Sequence, residues 1–156
     1  MSDYQKQTVQ WFPGHMAKTR RLIKESLPFV DLVTEIVDAR IPLSSSNPEL
    51  AEMIGSKPRI VLLNKCDVAD EKTTAKWVEY YKKNGMYALP VDCRSGKGLN
   101  AYLPLVREVL KDKIQRNTDK GMVGKPLRVM VVGIPNTGKS SFINKMAGRN
   151  RAKVAD

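Results

Sequence analysis

Gly133-Ile134-Pro135-Asn136-Thr137-Gly138-Lys139-Ser140 fits the pattern G-x-x-x-x-G-K-[ST], a loop whose backbone cradles phosphate groups. Asn64-Lys65-Cys66-Asp67 fits N-K-x-D, a pattern suited to reading guanine, and it comes well before the first motif in the chain. The usual order is the reverse. Order constrains the fold more than either motif does, because both segments must still face one nucleotide. It predicts an α/β domain of the P-loop NTPase kind, three-layered with a mostly parallel sheet, whose chain order is circularly permuted.

The strand and helix signals agree with that fold. Leu32 to Val37 reads as a strand ending at Asp38, and Arg59 to Leu63 is a second, near-continuous apolar run suited to a strand buried on both faces. Met86 to Val91 is a third strand, placed near an edge because Pro90 cannot donate to a ladder. Leu127 to Val132 is a fourth and leads into the glycine-rich loop. Between them the periodicity predicts helices. The first runs from Pro13 to Leu27, with Leu22, Ile23 and Leu27 inward and Pro28 as its end. Asn47 caps the second, with Pro48 in its first position and Gly55 as its stop. The third, Asp70 to Asn84, carries Ala75, Val78 and Tyr81 on one stripe. The fourth carries Leu99, Leu103, Val106, Val109 and Leu110, with Pro104 disturbing its start, and the fifth spans Gly138 to Ala147 with Gly148 as its stop. At 156 residues the chain is one domain's worth. Residues 1–116 form a base-recognition half, the polar, aperiodic stretch 117–125 a linker, and 126–156 the phosphate-loop strand and helix.

The phosphate loop needs its glycines so that backbone N–H groups can converge on phosphate oxygens. Candidate phosphate ligands are Gly133, Asn136, Thr137, Gly138, Lys139, Ser140 and Ser141. Lys139 reaches the β- and γ-phosphates, which makes it a catalytic candidate, and the Ser140 hydroxyl is placed to ligate Mg²⁺. Guanine presents N1–H and the exocyclic amine side by side, and a carboxylate accepts both. Asp67 is the candidate for that contact. Lys65 would lie along the base, and Asn64 would tie its loop to the phosphate loop. Asp92, Cys93 and Arg94 open a Gly96/Gly98 turn that is a candidate base-supporting loop. Two readings compete: an ATPase or kinase with an accidental N-K-x-D, and a non-catalytic RNA-binding module.

The net charge of +11 favours a polyanionic partner. Cationic residues cluster at Lys18, Arg20, Arg21 and Lys24, again from Lys111 to Arg128, and at the end of the chain. No apolar run approaches the ~18 residues of a membrane helix. The N-terminus lacks the pattern of a secretory signal, so a cytoplasmic protein with two reduced thiols, Cys66 and Cys93, is expected.

Base reader, base support, phosphate loop: that order, with Trp11-Phe12-Pro13-Gly14-His15-Met16, Asp38-Ala39-Arg40-Ile41-Pro42 and the segment Gly133 to Ser141, closely resembles the YlqF/RbgA family of circularly permuted GTPases. The resemblance covers essentially the whole chain. It implies a Ras-like fold, GTP or GDP as ligand, Mg²⁺, and docking on the large ribosomal subunit and its rRNA late in maturation. It implies that His15 helps to orient the attacking water, and that Asn136 matches a position that ligates K⁺ in related GTPases. It also implies switch strands and a C-terminal domain beyond Asp156, so weak nucleotide binding and little hydrolysis are expected of these 156 residues. The phosphate-loop strand would then form an open apolar edge.

Overall fold

A computed structural model of the chain describes residues 16–155, with side chains described for 17–148. His15 and the Trp11 to Gly14 segment lie outside the described residues. Four strands, β1 (Leu32–Asp38), β2 (Arg59–Asn64), β3 (Tyr87–Pro90) and β4 (Val129–Gly133), form one parallel sheet in the order β3-β2-β1-β4. The helices are α1 (Met16–Ser26), α2 (Leu50–Ile54), α3 (Glu71–Lys83), α4 (Tyr102–Val109), α5 (Lys111–Asp119) and α6 (Lys139–Ala155). β3 and β4 are the two edges, as expected from Pro90 for β3 and from the family resemblance for β4.

Alternation along the strands sorts the core into two faces. Leu32 and Ile36 of β1 and Ile60 and Leu62 of β2 pack with Tyr102 and Val106 of α4 and with Phe142, Ile143 and Met146 of α6. On the other face, Val33 of β1 and Val132 of β4 pack with Ile23 of α1 and Leu50 of α2, while Val37, Val61 and Leu63 pack with Tyr81 of α3. Helices therefore cover both sides of the sheet, in three layers. The register pairs Asp38 with Asn64 and Ile36 with Gly133, so β1, β2 and β4 end side by side.

Several local readings differ from the structure. Asn47 caps a turn, its Oδ1 accepting from the Glu49 N–H at 2.9 Å, and α2 starts only at Leu50. The buried stripe of α3 is Thr74, Trp77, Val78 and Tyr81, and Ala75 is exposed. The larger rings take the inner face because they bury more apolar area than an alanine methyl. The helical pattern from Leu99 to Leu110 is a 3₁₀ turn (Leu99–Ala101) followed by α4, and Pro104 sits in its first turn, where its missing N–H leaves no bond unmade. Gly148 does not stop α6, which continues to Ala155. Asn117 to Asp119 belong to α5, so the linker starts later than the composition suggests. That helix closes with Gly121 at φ 80° and Met122 N–H donating to Asn117 O at 2.8 Å, a Schellman ending.

Candidate nucleotide site

The loops after β2, β3 and β4 all leave the carboxyl ends of the sheet, where open α/β folds bind ligands. After β4 the chain turns through Ile134 to Gly138 and enters α6 at Lys139. Two glycines make this turn possible. A Cβ on Gly133 would lie 2.9 Å from Thr137 Oγ1 and 3.2 Å from Ile36 O. Gly138 has φ +102°, and a Cβ there would lie 2.0 Å from Asn64 Nδ2. Thr137 Oγ1 donates to Ile134 O at 2.8 Å and holds the curl. Asn136 takes a left-handed conformation with φ 70°. Lys139 opens the helix and is only 5% exposed. Burial pulls its ammonium down to about 8. Ser140 and Ser141 are exposed in the same first turn, beside the positive end of the helix dipole.

The N-K-x-D loop starts from the buried Asn64 at the end of β2. Its amide joins three segments. Nδ2 donates to Thr137 O at 2.6 Å, and Oδ1 accepts from the Cys93 N–H at 2.9 Å. Lys65 follows with φ 64°, a left-handed conformation unusual for a residue with a Cβ, and its Nζ donates to Asn136 O at 2.9 Å. Asp67 is exposed on the 3₁₀ turn Cys66–Val68. The Cys66 N–H donates to Val91 O at 3.1 Å and links this turn to the loop after β3.

In that third loop, Asp92 shapes its own turn. Its carboxylate accepts from Ser95 Oγ at 2.6 Å and from the Arg94 N–H at 3.1 Å. The Ser95 hydrogen bond, opposed by burial and helped by the Arg94 N–H, holds this carboxyl below its ordinary range. Gly98 (φ +83°) lets the loop return, since a Cβ would lie 2.6 Å from Pro90 O. The Cys93 thiol is fully buried and pushed up to about 12 by burial, so it stays a neutral packing group. Arg94 is exposed. The N–H groups of Cys93 and Arg94 both have protein acceptors, so an incoming base competes with Asn64 or Asp92 for them.

The structure thus brings Asn64, Lys65, Cys93, Asn136, Thr137 and Gly138 into one connected group, with Lys139 buried beside them. Asp67, Arg94, Ser140 and Ser141 stand exposed on the three loops. Sequence reasoning gave no role to Asp38 and Arg40, although both lie in a segment that carries the family resemblance. Asp38 Oδ2 lies 3.5 Å from Lys65 Nζ, and the Arg40 guanidinium donates to both Asp38 oxygens. Among the described residues, no group of three or more His, Cys, Asp or Glu side chains is arranged to hold a metal ion, and no helix is long and apolar enough to cross a membrane. The Ser140 hydroxyl is a hard-oxygen donor of the kind that Mg²⁺ takes.

Residues 128–156 match a family model described as 50S ribosome-binding GTPase. The chain is 52% identical over 151 residues to Ribosome biogenesis GTPase A of Priestia megaterium, covering 96% of this chain and 52% of that protein. The Thermotoga maritima protein of the same name is 38% identical over 146 residues, covering 94% and 48%. Mitochondrial ribosome-associated GTPase 1 of Bos taurus is 34% identical over 146 residues. Among solved structures, GNP-bound YlqF from T. maritima superposes with a TM-score of 0.56 at 36% identity, over 82% of this chain and 47% of that one. The chain spans about half the length of the curated relatives it matches. Over that half, with N-K-x-D ahead of the phosphate-loop motif, the chain is similar to YlqF and to the proteins named Ribosome biogenesis GTPase A.

Proposed function

We propose that the cleft between the loops after β2, β3 and β4 binds guanine nucleotide, and that this domain works in a GTPase assisting assembly of the large ribosomal subunit. One observation carries the reading. A single amide, Asn64, bonds to residues 73 and 29 positions away, and so gathers the base reader, the base support and the phosphate loop at one place. Asp67 accepts the base N1–H and amine. Lys65 lies along the base, with the loop of Asp92, Cys93 and Arg94 at its edge. The backbone from Gly133 to Ser141, Lys139 and the α6 N-terminus hold the phosphates. Positioning and charge stabilisation do most of the work in such a phosphoryl transfer to water. The Ser140 hydroxyl would hold Mg²⁺, which would supply positive charge against the phosphate oxygens. Asn136 would add a ligand for K⁺, and His15, which lies outside the described residues, would help to place the attacking water.

The ribosomal part of the proposal rests on the relatives' names and on charge. Lys18, Arg20, Arg21 and Lys24 of α1 are all exposed, as are Lys111 and Arg116 of α5. Such faces suit an rRNA backbone. The GTP form would favour the ribosomal complex and hydrolysis would favour release.

Asp67→Asn tests the nucleotide reading. GDP affinity should fall by roughly 100-fold, the scale of a lost charge-assisted hydrogen bond, while a xanthine nucleotide, which replaces the amine with an acceptor, gains. Competition against a fluorescent GDP reads both. An unmoved preference, with ATP competing as well as GDP, would sink guanine recognition and favour the ATPase alternative.

A further inference from the structure

Asp38 sits at the carboxyl end of the inner strands of the sheet. It ends β1, the strand between β2 and β4, and is 6% exposed. Its main chain is fixed on both sides: its own N–H donates to Ser45 Oγ at 2.8 Å, and the Ala39 N–H donates to Asn64 O at 2.7 Å. The loop that supplies Ser45 is itself anchored. Ser46 Oγ and the Asn47 N–H donate to the buried Glu35 carboxylate, which also pairs with Arg59.

The Asp38 carboxylate is held in one orientation. Oδ1 accepts from the Arg40 N–H and from Arg40 Nε, each at 2.9 Å, and Oδ2 accepts from Arg40 Nη2 at 2.7 Å. The Arg40 hydrogen bonds outweigh burial and bring the Asp38 carboxyl down to about 2, so it is charged at any working pH. The Arg40 guanidinium is raised by that same bond and, more weakly, by the charge of Asp67.

Lys65 is the other partner. A lysine is a compact charge on a flexible four-carbon stem, and ordering that stem costs rotamer entropy. Here its Nζ has two anchors, Asn136 O at 2.9 Å and Asp38 Oδ2 at 3.5 Å. We propose that Asp38, locked by Arg40, is a positioning residue for guanine nucleotide: it holds the Lys65 ammonium against the phosphate loop, so that the aliphatic stem is already laid out as a rail for the base. The inference rests on the nucleotide reading above and adds to it a positioning pair, Asp38 and Arg40, from outside the base-reading and phosphate-loop motifs.

A double-mutant cycle on the 156-residue chain tests it. Fluorescent GDP is titrated into wild type, Asp38→Asn, Lys65→Met and the double variant, with thermal unfolding of each as the check on folding. Asp38→Asn should weaken binding about tenfold, and in the Lys65→Met background it should cost nothing further, because a residue acting through Lys65 couples fully to it. Full additivity of the two losses, or wild-type affinity in Asp38→Asn, overturns the proposal and leaves the nucleotide reading standing. Absence of GDP binding by wild type overturns the nucleotide reading and this inference together. Asp38→Ser runs the same cycle if the Asn variant fails to fold.

Discussion

At the phosphate end of the cleft the geometry is carried by main chain and by absent side chains. Gly133 and Gly138 leave room where a Cβ would collide, and Asn136 and Gly138 turn through positive φ. At the base end it is carried by side chains reaching across strand ends: the Asn64 amide, the Lys65 ammonium and the Asp38 carboxylate. The two constructions meet at one contact, where Asn64 Nδ2 fills the space that Gly138 leaves open. A backbone-built site tolerates almost no change of residue type at its glycines. A site built from side chains fails by degrees, one hydrogen bond at a time.

Gly138→Ala should have the largest effect. The alanine must hold φ near +102° and displace the Asn64 amide, so a loss on the order of 3 kcal/mol and of measurable GDP binding is expected in urea denaturation and fluorescent titration. Wild-type stability in this variant would mean that the phosphate end is not set by missing atoms. Asn64→Ala comes next. It leaves Thr137 O and the Cys93 N–H without this partner, at about 2–3 kcal/mol, and it should loosen both loops at once. A loss confined to one loop, read by amide hydrogen exchange, would break the idea of a shared junction.

The smallest effect concerns pH, where the two ends titrate in separate windows. Arg40 holds the Asp38 carboxyl at about 2 in the folded protein, below its ordinary 3.8, so the stability it contributes is present above about pH 4 and is lost as pH falls towards 2. Because Arg40 is half exposed, that contribution is on the order of 1 kcal/mol. Lys139 has a folded pKa of about 8 against 10.5, so the penalty of its buried charge is relieved as pH rises from 8 towards 10.5. Bound phosphate reverses that shift. Calorimetry at pH 8.5 in buffers of different ionisation heat should therefore show proton uptake on GDP binding, and Lys139→Arg should abolish it. Equal heats in every buffer would show that the ammonium is already fully charged without ligand.

The same division explains what could be read from the chain. The phosphate loop is local: glycine, lysine and serine at fixed offsets between an apolar strand and a helix, with nothing required from elsewhere. Its place beside Asn64 followed from the demand that two motifs share one ligand. The Asp38–Lys65 contact was not legible, because it depends on the register that sets the end of β1 against the end of β2, and an aspartate two residues before an arginine looks like an ordinary turn. The misread helix limits have a similar origin. Gly148 is a stop signal only when the chain needs to turn, and no such need arises in α6. Asn117 to Asp119 stay helical because Thr118 Oγ1 bonds back to Ile114 O and the Gln115 amide reaches Asp119, pairings that polarity alone does not disclose.

The Asn64 amide also fixes a length. With one end of it on Thr137 and the other on Cys93, the separation between the loop after β3 and the phosphate-loop motif is set by protein atoms alone, and on the proposed function these are the seats for a purine and for a pyrophosphate. The cleft behaves like a gauge. A molecule bearing both groups at that spacing gains from both seats for a single loss of translational freedom, whereas guanosine and free pyrophosphate, offered together, each bear that loss alone.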